Sequence, residues 1–74
     1  MTSDAERKLM KTFGKRVAMV RKSKNLTQQQ VAEATNMSVV AIAYIETGKR
    51  WARLGTLDKI ASVLKVDIAD LFDF

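Results

Sequence analysis

Two blocks of cationic side chains, separated by a segment with no base at all, are the most informative chemistry in this 74-residue sequence. Residues 1–25 hold eight Lys or Arg against two acidic groups, and residues 48–56 add Lys49, Arg50 and Arg53 with no acid. Between them, residues 26–47 hold only Glu33 and Glu46, and residues 57–74 hold two bases and four acids. Such blocks can hold phosphates or another polyanion, and on either side of an uncharged segment they would fix position while that segment reads something else. The plainer alternative is that a net charge of +5 lies on solvated faces and only keeps the chain in solution.

Catalysis finds little material here. With no histidine and no cysteine, disulfides and the common zinc sites are excluded. No glycine-rich phosphate loop is present, and the carboxylates are scattered without a converging pair. The expectation is a protein that is not an enzyme, with no catalytic residue, metal, cofactor or small-molecule ligand.

The elements that must carry these charges read as helices. Ser3 and Glu6 form a capping box, and Leu9, Met10, Phe13, Val17 and Val20 recur at helical spacing, which predicts a first helix over 4–23 stopped near Asn25. Gly14 weakens its interior by about 1 kcal/mol relative to alanine, so residues 1–12 read as a frayed helical extension on a domain of 13–74. Thr27 caps a helix over 28–35, with Leu26 stapling onto Val31. Asn36 turns the chain, and Ser38 caps a third helix over 39–47 that ends at Gly48. Leu54, Leu57, Ala61 and Leu64 share a stripe that predicts a fourth helix over 53–65, and Asp67 caps a short fifth one reaching Leu71 or Phe72. No segment alternates like a strand, so the fold class is all-α, five compact helices around one core. A chain this short is near the lower limit for a core without staples. The longest apolar run is far below the roughly 18 residues of a membrane span, and the N-terminus lacks the core of a signal peptide, so a cytoplasmic protein is expected.

The third helix is greasy on nearly every side: "SVVAIAYIETG". On a wheel of about 100° per residue, Ile42, Ile45 and Glu46 fall on one side, with Val31 and Met37 as core neighbours. Val39, Val40, Ala43, Tyr44 and Thr47 fall on the other and face outward. An exposed Val, Val, Ala, Tyr patch calls for a partner.

The stretch "LTQQQVAEATNMSVVAIAYIETGKR" resembles the helix-turn-helix of the phage-repressor-like family, lambda-repressor-like in fold and also called the Cro or xenobiotic-response-element type. The resemblance runs from "FGKRVAMVRKSKN" to "LDKIASVLKVDIADLF" and rests most on Gln28, Ala32, Ile42, Ile45 and "IETGKR". It implies that helices 2 and 3 form the motif, with the third in the DNA major groove and the second across the backbone. Carried over, Val39, Val40, Ala43 and Tyr44 face base edges, and Thr27, Gln28, Ser38, Thr47, Lys49, Arg50 and Trp51 meet the backbone, although packing over the core suits Trp51 better. Arg21 and Glu46 match a structural pair across the first and third helices. Asn36 stands where the family usually has glycine and Ala52 where proline is common.

The implied function is that of a sequence-specific regulator of transcription, a repressor or controller, binding double-stranded DNA as a homodimer on a palindrome. Apolar base-facing residues can sense thymine methyl groups, so readout should favour T-containing steps, with operator deformability supplying the rest. "IADLFDF" is richer in apolar residues than one short helix needs, so Ile68, Phe72 and Phe74 are candidates for the dimer contact, with plain packing over the core as the alternative. The rival reading is a protein-binding module, such as an antitoxin or anti-repressor on the same scaffold, docking through the apolar face of the third helix.

Overall fold

The computed structural model describes residues 3–74. Four α-helices follow one another: α1 (Asp4–Ser23), α2 (Gln28–Thr35), α3 (Val39–Glu46) and α4 (Leu54–Leu64), succeeded by a 3-10 turn over Ile68–Phe72. Each of the first three starts on a hydroxyl. Ser3 accepts from the backbone N–H of Glu6, Thr27 from that of Gln30 and Ser38 from that of Ala41, which satisfies donors that a helix N-terminus leaves open. Left-handed residues close the joints: Asn25 after α1, Asn36 after α2, Gly48 after α3 and Lys65 after α4. Asparagine tolerates this conformation by bonding locally and glycine by lacking a Cβ, so three of the four joints carry a residue suited to the bend.

The expected fifth α-helix is a 3-10 turn instead. Asp67 and Asp70 cap each other across it, the Asp67 N–H donating to the Asp70 carboxylate at 2.9 Å while the Asp70 N–H bonds the Asp67 carbonyl at 3.0 Å. The Asp70 carbonyl, which an α-helix would offer four residues onward, accepts Arg16 Nε at 2.8 Å from α1. With Leu71 fully buried as a peg, tight i to i+3 bonds fit this span better than an α-helical continuation.

The core draws Phe13, Val17 and Val20 from α1, Val31 and Ala32 from α2, Ile42 and Ile45 from α3, Leu57, Ile60, Ala61 and Leu64 from α4, and Leu71 from the final turn. Ala32 lets α2 lie close to its neighbours, as the steep crossing of a helix pair requires. Two stripe positions depart from the sequence reading. Leu54 is 71% exposed because it opens α4 beyond the edge of the core, where Ile60 takes its place, and Leu9 stays exposed on the early turns of α1. Met10 is buried, and α1 runs without a break through Gly14. At Gly14 the backbones of α1 and α3 meet: a Cβ there would stand 2.5 Å from the Glu46 carbonyl oxygen and against that of Ile45. The glycine that lowers helix propensity is what allows this approach. Among the described residues no helix is long and apolar enough to cross a membrane.

Candidate nucleic-acid interface

A buried ion pair fixes the pose of α3. Arg21 of α1 donates from Nε to Glu46 Oε2 at 2.7 Å and from Nη2 to Glu46 Oε1 at 3.0 Å, a bidentate fork between side chains whose residues are only 8% and 7% exposed. Its third nitrogen, Nη1, donates to the Leu26 carbonyl at 2.7 Å. The hydrogen bond to Glu46 raises the Arg21 pKa, desolvation opposes it, and the carboxylate's charge adds to the rise. α1, the α1–α2 joint and the end of α3 are therefore tied at one guanidinium.

Gln28 joins the same knot. Its amide nitrogen donates to Glu46 Oε1 at 3.0 Å, so α2 is held to α3 at its first residue. The resemblance assigned Gln28 to the DNA backbone; its amide keeps a second N–H, and the pair of roles is compatible. This bond was not legible from spacing, because it joins residues 18 positions apart through a fold that had first to exist.

The outward side of α3 is the apolar surface predicted from the wheel. Val39, Val40 at 54% and Tyr44 at 40% are exposed, and Ala43 is half-buried among them. Ala41, which the wheel left unassigned, is buried. Cations flank the far end of this surface: Lys49 Nζ lies 5.6 Å and the Arg50 guanidinium carbon 5.8 Å from the Tyr44 ring centroid. The tyrosine's electron-rich face thus holds two positive charges beside the apolar patch. Their backbone N–H groups both donate to the Tyr44 carbonyl, at 2.8 and 3.3 Å, which fixes the loop to the helix end.

The remaining assigned positions differ in what they have left to offer. Ser38 and Thr27 use their oxygens as helix caps and keep a hydroxyl proton for an outside acceptor. Thr47 donates its hydroxyl to the Ala43 carbonyl at 2.8 Å and so spends that proton inside α3. Trp51 packs its ring 5.4 Å from that of Phe13. Phe72 packs on the same Phe13 ring at 4.8 Å, Phe74 lies 6.5 Å beyond it, and both remain substantially exposed, whereas Ile68 is half-buried against the core. Among the described residues no group of three or more acidic side chains is placed to hold a metal ion.

The geometry has counterparts. The helix-turn-helix family pattern matches residues 17–71. The immunity repressor protein of Bacillus phage phi105 is 36% identical over 58 residues, 78% of this chain and 40% of the repressor. Control protein C.BamHI of Bacillus amyloliquefaciens is 36% identical over 63 residues, 84% of this chain and 78% of that protein. The chain therefore spans less than half of the phage repressor and most of the control protein. The crystal structure of the restriction-modification controller protein C.AhdI from Aeromonas hydrophila superposes with a TM-score of 0.81 at 29% identity, covering 88% of this chain and 97% of that one.

Proposed function

The chain belongs to the helix-turn-helix family, and from that premise we propose that it is a transcriptional regulator that binds double-stranded DNA sequence-specifically, as a repressor or controller. One observation carries the reading: an exposed apolar face on α3, pinned by the Arg21–Glu46 fork and flanked by cations. Val39, Val40, Ala43 and Tyr44 enter the major groove, and Tyr44 supplies the one side-chain hydrogen-bonding group of that set. The backbone is met at the start of α2 by Thr27 and the spare Gln28 N–H, where the helix end also favours an anion, and at Ser38. Lys49 and Arg50 meet it at the other end. Thr47 and Trp51 serve there as packing surface, given the bonds and ring contact they make within the chain. Relatives named as an immunity repressor and a control protein support a regulatory role, and none of the chemistry described calls for catalysis or a cofactor. Under this reading the protein works where the DNA is, in the cytoplasm.

The test is equilibrium binding to operator duplex found by selection from random DNA. Affinity should fall steeply with rising salt, and Val40→Glu or Tyr44→Glu should lower it by about 1–3 kcal/mol each, some fivefold to 150-fold, while the fold survives. The same exposed face would serve a protein-docking module, and that reading wins if duplex is not retained even at low salt.

Two-fold pairing completes the proposal, because one module covers too little DNA for high specificity, and a dimer sets two reading helices about 34 Å apart on a palindrome. Phe72 and Phe74 are the exposed apolar groups for that contact, with Ile68 as their half-buried base. Sedimentation should give a dimer that Phe74→Ser weakens; a monomer both free and on DNA would refute the pairing.

A further inference from the structure

The exposed side of α3 carries methyl groups and almost nothing polar. Val39 and Val40 open the helix, Ala43 lies one turn on, and Tyr44 supplies a single hydroxyl. Glu46 is held in the Arg21 fork, and Thr47 spends its hydroxyl proton on the Ala43 carbonyl. Side-chain amides are the groups that read adenine through two bonds, and those of α2 are engaged within the chain. Gln28 donates to Glu46 at 3.0 Å, Gln29 donates to Glu33 at 3.0 Å, and Gln30 accepts the Thr27 N–H at 2.8 Å. A valine in a helix has one strongly preferred rotamer, so the methyl groups of Val39 and Val40 hold a fixed place on a helix that is itself pinned.

In the major groove the apolar feature of a base edge is the methyl group on C5 of thymine. Cytosine carries hydrogen at that position, and cytosine methylated at C5 carries the same methyl group. What separates thymine from 5-methylcytosine on this edge is the adjoining group, a carbonyl acceptor on one and an amino donor on the other. Valine and alanine cannot sense that difference, and the Tyr44 hydroxyl can donate to the first or accept from the second. We propose that α3 reads the C5 methyl group of pyrimidines and takes thymine and 5-methylcytosine alike, so that C5 methylation of cytosine turns a weak site into an operator. Val40 and Val39, at the end of the helix that meets base edges, are the specificity-determining residues. The proposal rests on the DNA-binding reading and names the chemical group that its reading face recognises. A preference for thymine is one consequence, and a response to a covalent mark on the operator is the other.

The experiment measures equilibrium binding of the full chain to the selected operator with uracil placed at each thymine in turn. The sensitive positions are then remade as G·C pairs carrying either cytosine or 5-methylcytosine. Within each pair of duplexes only the methyl group differs. Burial of one methyl group changes affinity by about fourfold, so uracil should weaken binding by about that factor at each contacted step, and 5-methylcytosine should strengthen it over cytosine by about the same. In Val40→Ala both ratios should fall toward one together at a shared position, which a change in duplex stiffness alone would not produce. No effect of uracil at any thymine, or a uracil effect without a matching 5-methylcytosine effect, overturns the methyl reading and leaves DNA binding standing. Ratios unchanged in both Val40→Ala and Val39→Ala overturn it as well. If the wild type retains no duplex at low salt, the DNA-binding reading falls and this one with it. Both valines are exposed and alanine is the better helix former, so circular dichroism should show the fold intact, and the wild-type comparisons stand without the variants.

Discussion

Glu46→Ala should lower the melting temperature by at least about 12 °C and leave a large fraction of the chain unfolded at 37 °C. The substitution removes both oxygens that Arg21 grips and the acceptor of the Gln28 amide, leaving a guanidinium that is 8% exposed with only the Leu26 carbonyl. Removing one partner of a buried pair costs about 3–5 kcal/mol, whereas the pair as a whole adds little over an apolar substitute. A domain of this size has a total stability of about 4–11 kcal/mol, so the loss is a large share of it. Each kcal/mol moves the midpoint of so small a domain by roughly 4–8 °C. The double variant Arg21→Met with Glu46→Leu should recover most of the loss, since neither charge is then stranded. Thermal and urea melts of the three proteins decide the matter; a Glu46→Ala midpoint within a few degrees of wild type would show that the fork is ornamental. Titration of Arg21 offers no switch. Its folded pKa is raised, so its contribution is fully present below the unfolded value and is lost only as pH climbs through the still higher folded one. Nothing near neutrality discharges it.

The parts of this fold that could be read from the sequence are those decided locally. Ser3, Thr27 and Ser38 announce helix starts by the backbone hydrogen bond each side chain accepts from three residues on, and Asn25, Asn36 and Gly48 announce ends because they accept a positive φ. The outward placing of Val39, Val40 and Tyr44 follows from helical period alone. Lys65 gives no such warning: it takes a φ of 59° because the Val66 N–H bonds the Ala61 carbonyl as α4 closes, not because lysine prefers it. The last helix was misread for a related reason. Its cap at Asp67 was visible, but the Arg16 bond that diverts the Asp70 carbonyl comes from 54 residues away. The site shows the same division. Which residues face outward was legible, while Gln28 turning to Glu46 and the cations folding over Tyr44 depend on how α1, α2, α3 and the loop after α3 meet.

Gly14→Ala should destabilise the protein by about 2 kcal/mol, although propensity alone predicts a gain of about 1 kcal/mol in a helix interior. The added Cβ meets the carbonyl carbon and oxygen of Glu46 at 2.7 and 2.5 Å, and those are backbone atoms that no rotamer change can move aside. Relief requires α1 and the end of α3 to separate, and forced separations of packed elements cost about 1–3 kcal/mol beyond what the helix gains. The same movement strains the fork at Glu46, so operator affinity should fall with stability, unlike in a substitution that merely loosens a distant turn. Gly55→Ala is the matched control. Nothing lies within 4 Å of the position its Cβ would take, and its φ is not positive, so the change restricts the unfolded chain and should stabilise by about 0.4–1 kcal/mol. Two glycines in two helices thus carry opposite expected signs, and paired thermal melts with operator binding read both. If Gly14→Ala proved as stable as Gly55→Ala, the close approach of α1 and α3 would be wrong, and the anchoring of α3 by α1 would need another basis.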